Sequence, residues 1–138
     1  MEHRKIYHCV RVTTPKGELI VEGPVPPEKL AGYAMHPKLD AFRRPAEQHA
    51  ALVEIAGLPE GRIIVARDGQ TIVGYVTFHY PDELERWSAG GLEDLIELGA
   101  IEVADDYRSC GLGKRMIRLA FEDGQLENAI VFTTEYYW

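Results

Sequence analysis

Two glutamates and a glycine-punctuated cationic loop are the residues of this 138-residue chain best suited to chemistry. Glu97 and Glu102 stand in an apolar run from Leu95 to Val103, and Arg108, Gly111, Gly113, Lys114 and Arg115 follow closely. A carboxylate placed among apolar residues must find a partner, and one so placed is suited to accept a proton. The loop offers the opposite chemistry. Backbone N–H groups at the start of a helix have no helical acceptor, and the helix dipole adds partial positive charge. Phosphate oxygens satisfy both. Gly111 and Gly113 allow positive φ and close backbone approach, while Arg108, Lys114 and Arg115 bring cationic side chains to the same point.

The elements that must position these groups follow from periodicity. The run from Leu95 to Val103, within a longer Leu92 to Val103, predicts a buried central strand that ends at Asp105-Asp106. After Gly113, Leu112, Met116, Leu119 and Ala120 form one helical stripe, widened by Ile117 and Phe121; Lys114, Arg115, Arg118, Glu122 and Asp123 face away. Strand alternation puts Glu97 and Glu102 on opposite faces, and a bulge between them would reverse that parity. The competing reading of the loop is an ordinary tight turn, and that of either glutamate is a solvated strand end.

The string Val103 to Lys114, V-A-D-D-Y-R-S-C-G-L-G-K, resembles motif A of the GNAT (GCN5-related N-acetyltransferase) superfamily, written [Q/R]-x-x-G-x-[G/A]. Arg108, Gly111 and Gly113 fill its fixed positions. The likeness runs on through EGRIIVARDGQTIVGYVTF, ERWS, DLIELGAIEV and VFTTEYYW, toward a bacterial branch that acetylates lysine on acetyl-CoA synthetase. It implies an α/β fold with a mixed, mostly antiparallel sheet flanked by helices, and acetyl-CoA as co-substrate without a metal. It implies further that the backbone of Ile101 and Val103 pairs with the pantetheine arm, with Arg108, Ser109, Cys110, Gly111, Leu112, Gly113 and Lys114 around the phosphates. Glu97 matches the family's glutamate base, Glu102 ranks almost equally, and Tyr136 or Tyr137 falls loosely where the family places a tyrosine acid. Aromatic packing is the competing reading of those tyrosines.

Composition sets bounds. Twenty-two acidic against 15 basic residues give a formal charge of −7, which argues against a nucleic-acid footprint. Cys9 and Cys110 lie far apart with no CxxC, suggesting neither zinc nor a disulfide framework, and Cys110 reads as a small filler. His3, His8, His36, His49 and His79 show no ligand spacing and read as surface or capping residues. The N-terminus lacks an apolar signal region and no apolar run is long enough to span a membrane, so a reducing, cytoplasmic setting is expected.

In chain order, Ile6 to Val12 and Glu18 to Glu22 predict a hairpin turning at Pro15-Lys16-Gly17. Glu28 to Met35 predicts a short helix, and Pro45 to Ala56 a longer one in which Ala46, Ala50 and Val53 return at spacings of four and three, with Gly57 as its stop. Arg62 to Ala66 and Thr71 to Tyr80 predict a hairpin through Asp68-Gly69. Asp82 to Ser88 reads as one helical turn, and Ala129 to Tyr137 as a last strand. The whole reads as a single domain, residues 1–138. Because the family fold continues with a further helix and strands, the chain is expected to be C-terminally truncated, and an uncovered last strand predicts homodimerisation. Two other functions fit the same residues: a non-catalytic acyl-CoA-binding regulatory module, and a small-amine acetyltransferase.

Overall fold

The computed structural model describes residues 4–80, 95–122 and 130–132. Strands β1 (His8–Thr14) and β2 (Gly17–Gly23) make the N-terminal hairpin, with Gly17 at φ 101° in its turn. Helix α1 (Pro27–Ala31), a two-residue β3 (Ala34–Met35) and helix α2 (Pro45–Ala56) follow. Then come β4 (Arg62–Asp68), β5 (Thr71–His79) and β6 (Leu95–Val103), a 3-10 turn (Asp105–Cys110), helix α3 (Leu112–Ala120) and β7 (Ile130–Phe132). The sheet runs β1-β2-β4-β5-β6-β7, with β3 beside the start of β5. All pairings are antiparallel except β6 with β7 and β3 with β5. The expected mixed, mostly antiparallel α/β sheet is therefore present.

Alternation along the strands divides the interior into two layers. Val21, Ile64, Val76, Phe78, Ile96 and Ile101 pack with Leu112, Met116, Leu119 and Ala120 of α3 on one face. Ile63, Val65, Ile72, Tyr75 and Ala100 pack with Leu30 of α1 and Leu52 and Ala56 of α2 on the other. The α3 stripe predicted from spacing is the buried one, with Ile117 and Phe121 packed at its margin.

Some expectations require correction. Helix α1 stops at Ala31, capped by Gly32, and the remainder of the predicted segment turns to pair with β5 as β3, where Ala34 N–H bonds to Gln70 O. Helix α2 has the predicted bounds but turns another side inward: Gln48, Leu52 and Ala56 are buried, whereas Ala46 and Ala50 are exposed. A polar residue at the inward position hid this stripe. Among the described strands, β6 lies next to the last in the path rather than at its centre. The turn predicted over Asp82 to Ser88, and Tyr136, Tyr137 and most of the last predicted strand with its dimerisation edge, lie outside the described residues.

One buried charge joins α1 to the sheet. Glu22 is fully buried, and its Oε1 accepts hydrogen bonds from Tyr33 Oη at 2.8 Å and Lys29 Nζ at 2.9 Å. Its Oε2 accepts from Arg67 Nε, whose guanidinium lies 5.1 Å over the Tyr33 ring. Burial pushes the Glu22 carboxyl up, but the donors Lys29, Arg67 and Tyr33 outweigh it and hold it below the usual range. Such a group stabilises the fold above its ordinary value of 4.5, and the contribution is lost as pH falls below that toward the depressed folded value. Glu22→Gln should cost about 3 kcal/mol, the low end for breaking a buried pair because Lys29 can reach water. In denaturant unfolding the gap between wild type and variant should narrow as pH falls through the glutamate range; a pH-independent gap contradicts this role.

Candidate functional site

The cationic loop folds as a 3-10 turn followed by a left-handed residue. Gly111 has φ 67° and ψ 26°, and its carbonyl accepts the first α3 bond, from Arg115 N–H at 3.3 Å. The N–H groups of Leu112, Gly113 and Lys114 thus point out of the helix start without a helical acceptor. They border a groove of about 310 Å³ between α3 and β6. Ile101, Val103, Arg108, Gly111, Leu112, Gly113 and Lys114, all expected to meet the cofactor, line it together with Glu102.

Other expected contacts fall elsewhere. Ser109 is exposed, and Cys110 is half-buried against the α3-side core as a filler; neither lines the groove. Arg115 turns to a separate cleft beside His8 and Cys9. Of the two loop glycines, only Gly111 has positive φ. Gly113 is helical, and a Cβ there would meet Ile101 Cδ1 at an ordinary 3.6 Å, so the protein itself has room for one. What Gly113 leaves open is the groove.

The turn is held in place from several sides. Tyr107 donates its hydroxyl to Asp68 at 2.7 Å, and Asp106 pairs with Lys38 at 2.9 Å. Arg108 pairs with Asp105 at 2.8 Å and donates from Nε to Val103 O at 3.4 Å. These contacts fasten the groove's floor to the β4–β5 turn and to the segment after β3.

Strand β6 carries both candidate bases, and a bulge decides where they point. Ala100 pairs with Thr77 and Leu98 with Phe78, leaving Gly99 unpaired. The extra residue reverses parity, so Glu97, Ala100 and Glu102 share the α2 face while Ile96, Leu98, Ile101 and Val103 keep the α3 core. Glycine fits because a side chain at 99 would run into Thr77 Oγ1 and the His79 ring.

The two glutamates nevertheless differ in environment. Glu102 is 3% exposed with both oxygens engaged. Oε1 accepts from Tyr75 Oη at 2.7 Å, and Oε2 from Ala41 N–H at 2.9 Å. Tyr75 Oη accepts from Gln48 Nε2 at 2.9 Å, and Gln48 Oε1 accepts from Arg43 at 2.8 Å. Burial, and then the adjacent Glu102, push the Tyr75 hydroxyl well above its usual range, so it stays a donor. Glu97 is half-exposed and lines a cleft of about 340 Å³ with Phe42, Arg43, Gln48, Thr77 and His79. Sequence reading missed Arg43, Gln48 and His79, which reach this cleft from a loop, a helix and a strand end. The lone Gly99 within a strand was the one available signal.

The arrangement is a helix start with free N–H groups at a groove and a carboxylate-bearing cleft, both served by one strand, and related proteins share its sequence. Residues 28–136 match the acetyltransferase (GNAT) family. The chain is 66% identical over its whole length to acetoin utilization protein AcuA of Bacillus subtilis (strain 168), and 58% identical to AcuA of Bacillus licheniformis. It spans 66% of the length of each of these relatives. A crystal structure of an acetoin utilization protein from Exiguobacterium sibiricum superposes with a TM-score of 0.92 at 50% identity, over 98% of this chain and 64% of that one. With the motif folded as strand, left-handed glycine and helix, these matches show that the chain belongs to the GNAT acetyltransferase family.

Proposed function

We propose that this chain forms the cofactor-binding and base-bearing part of an acetyltransferase that moves acetyl from acetyl-CoA to the ε-amine of a protein lysine, with Glu97 as the base. The observation that carries this reading is the position of Glu97 in an open cleft on the same strand that floors the anion groove. Lysine as acceptor, acetyl-CoA synthetase as its carrier and Tyr136 as the acid for the leaving sulfur extend the family resemblance.

Acetyl-CoA supplies the acyl group already activated as a thioester. The free N–H groups of Leu112, Gly113 and Lys114, with the Lys114 and Arg108 cations, suit its phosphates. Among the described residues β7 pairs with β6 only over Leu95 to Glu97, so backbone groups farther along β6 are available to an extended arm and to the acyl oxygen as it gains charge. A lysine amine, with an ordinary pKa of about 10.4, arrives protonated. Glu97 takes that proton, the amine attacks the acyl carbon, nitrogen loses its second proton as the amide forms, and the carbon–sulfur bond breaks with its electron pair on sulfur, which is then protonated. Glu102, enclosed and doubly bonded, acts as an anchor for the α2 layer.

Glu97→Gln should lower kcat by about 100-fold while leaving acetyl-CoA affinity nearly intact. Glu102→Gln should act through stability, costing about 1–3 kcal/mol, because the amide cannot accept from both Tyr75 and Ala41 N–H. Turnover unaffected by Glu97→Gln sinks the assignment of the base. Gly111→Glu should abolish acetyl-CoA binding in calorimetry, since it puts a bulky anion on a left-handed residue at the groove; wild-type affinity removes the phosphate-loop reading. Tight acetyl-CoA binding with no transfer to a lysine protein or a small amine would point instead to an acyl-CoA-binding module.

A further inference from the structure

We propose that His79 is a second proton-accepting catalytic residue of the acceptor cleft. The inference rests on the acetyl-transfer reading above and adds a residue to it. Transfer to an ammonium group removes two protons from nitrogen: one before attack and one as the amide forms. One of them is replaced by a proton delivered to the leaving sulfur, and the other is released. A single carboxylate holds one proton at a time, so a cleft with a second base completes both removals without waiting for Glu97 to discharge.

His79 has the position and the tautomer for this. It is the direct cross-strand partner of Glu97, and the Gly99 bulge puts both on the cleft face. Its Nδ1 lies 2.6 Å from the carbonyl oxygen of Tyr80. A carbonyl only accepts, so Nδ1 carries the hydrogen and the neutral ring's lone pair is on Nε2. Nε2 in turn sits over Gly99, where a Cβ would overlap it, and makes no hydrogen bond to a described residue. The missing side chain at the bulge therefore leaves room for the basic nitrogen beside the cleft. Among the described residues, the charged groups around this ring are Glu97 from β6, Arg43 from the segment before α2, and Glu60, whose Oε2 is 3.5 Å from Tyr80 N.

In the resulting sequence Glu97 takes the ammonium proton, nitrogen attacks the acyl carbon, and the second N–H proton passes to Nε2 as the amide forms. The carbon–sulfur electron pair leaves on sulfur, which takes a proton from the acid; both bases return their protons to solvent and the acid regains one from it, so that one proton is released net.

The test compares wild type, His79→Asn and His79→Ala in steady-state acetylation of a lysine-bearing protein, with calorimetry for acetyl-CoA. Asparagine keeps an N–H toward Tyr80 O but has no basic nitrogen at the Nε2 position. It should lower kcat by about 100-fold with acetyl-CoA affinity unchanged, and added imidazole should restore part of the activity of His79→Ala. Wild-type kcat in His79→Asn, or no rescue of His79→Ala, overturns the assignment while leaving Glu97 in place. A wild type that acetylates no lysine overturns the acetyl-transfer reading and His79 with it. Imidazole ¹⁵N shifts of the unmutated protein give an independent check: an unprotonated Nε2 is expected, and an Nε2–H tautomer contradicts the proposal.

Discussion

One unpaired residue in β6 governs the layout of the site. Side chains of a strand alternate strictly, and a strand with Glu97 and Glu102 five positions apart would turn one of them into the α3 core. The bulge at Gly99 prevents this. Ile96, Leu98, Ile101 and Val103 remain on the apolar α3 side, and both carboxylates come to the other. The same residue must be small, since Thr77 and His79 occupy the space a side chain would need. Core packing and chemistry are thus reconciled on a single strand.

Once on one face, the two carboxylates are separated by their surroundings. Glu102 is covered by the segment around Ala41 and drawn into a line of hydrogen bonds through Tyr75 and Gln48 to Arg43. A half-satisfied network at this depth would cost more than an apolar one, and this one is satisfied at each member. Its outer end is Arg43, at the cleft that Glu97 lines. Glu102 therefore holds the α2 layer in the position that forms the cleft lined by Glu97. On the opposite side of β6, the 3-10 turn, fixed through Asp68 and Lys38, aims the start of α3 at the groove.

Much of this was legible in the sequence wherever local signals and global packing agreed. The α3 stripe, the Asp68-Gly69 hairpin and the bounds of α2 follow from period and turn chemistry, and motif A gave the loop, though of the two glycines expected to allow positive φ only Gly111 adopts it. The inward face of α2 did not, because Gln48 is buried by virtue of a partner, Tyr75, that is remote in sequence. Likewise, Ala34 and Met35 continue a plausible helix but are captured by the open end of β5. Arg115 reads as a loop cation, yet one more residue of helical rotation carries it to another cleft. Parity in β6 could be posed as a question from the sequence and answered only by the pairing register.

The central claim is that groove and cleft are two halves of one site meeting across β6. Calorimetric titration of CoA against a conjugate joining CoA sulfur to a lysine side chain through an acetyl-length bridge tests it most directly. If the halves are contiguous, the conjugate should bind at least about tenfold more tightly than CoA, about 1.4 kcal/mol, because its second half binds without a further loss of translational freedom. Equal affinities for CoA and the conjugate would contradict the account.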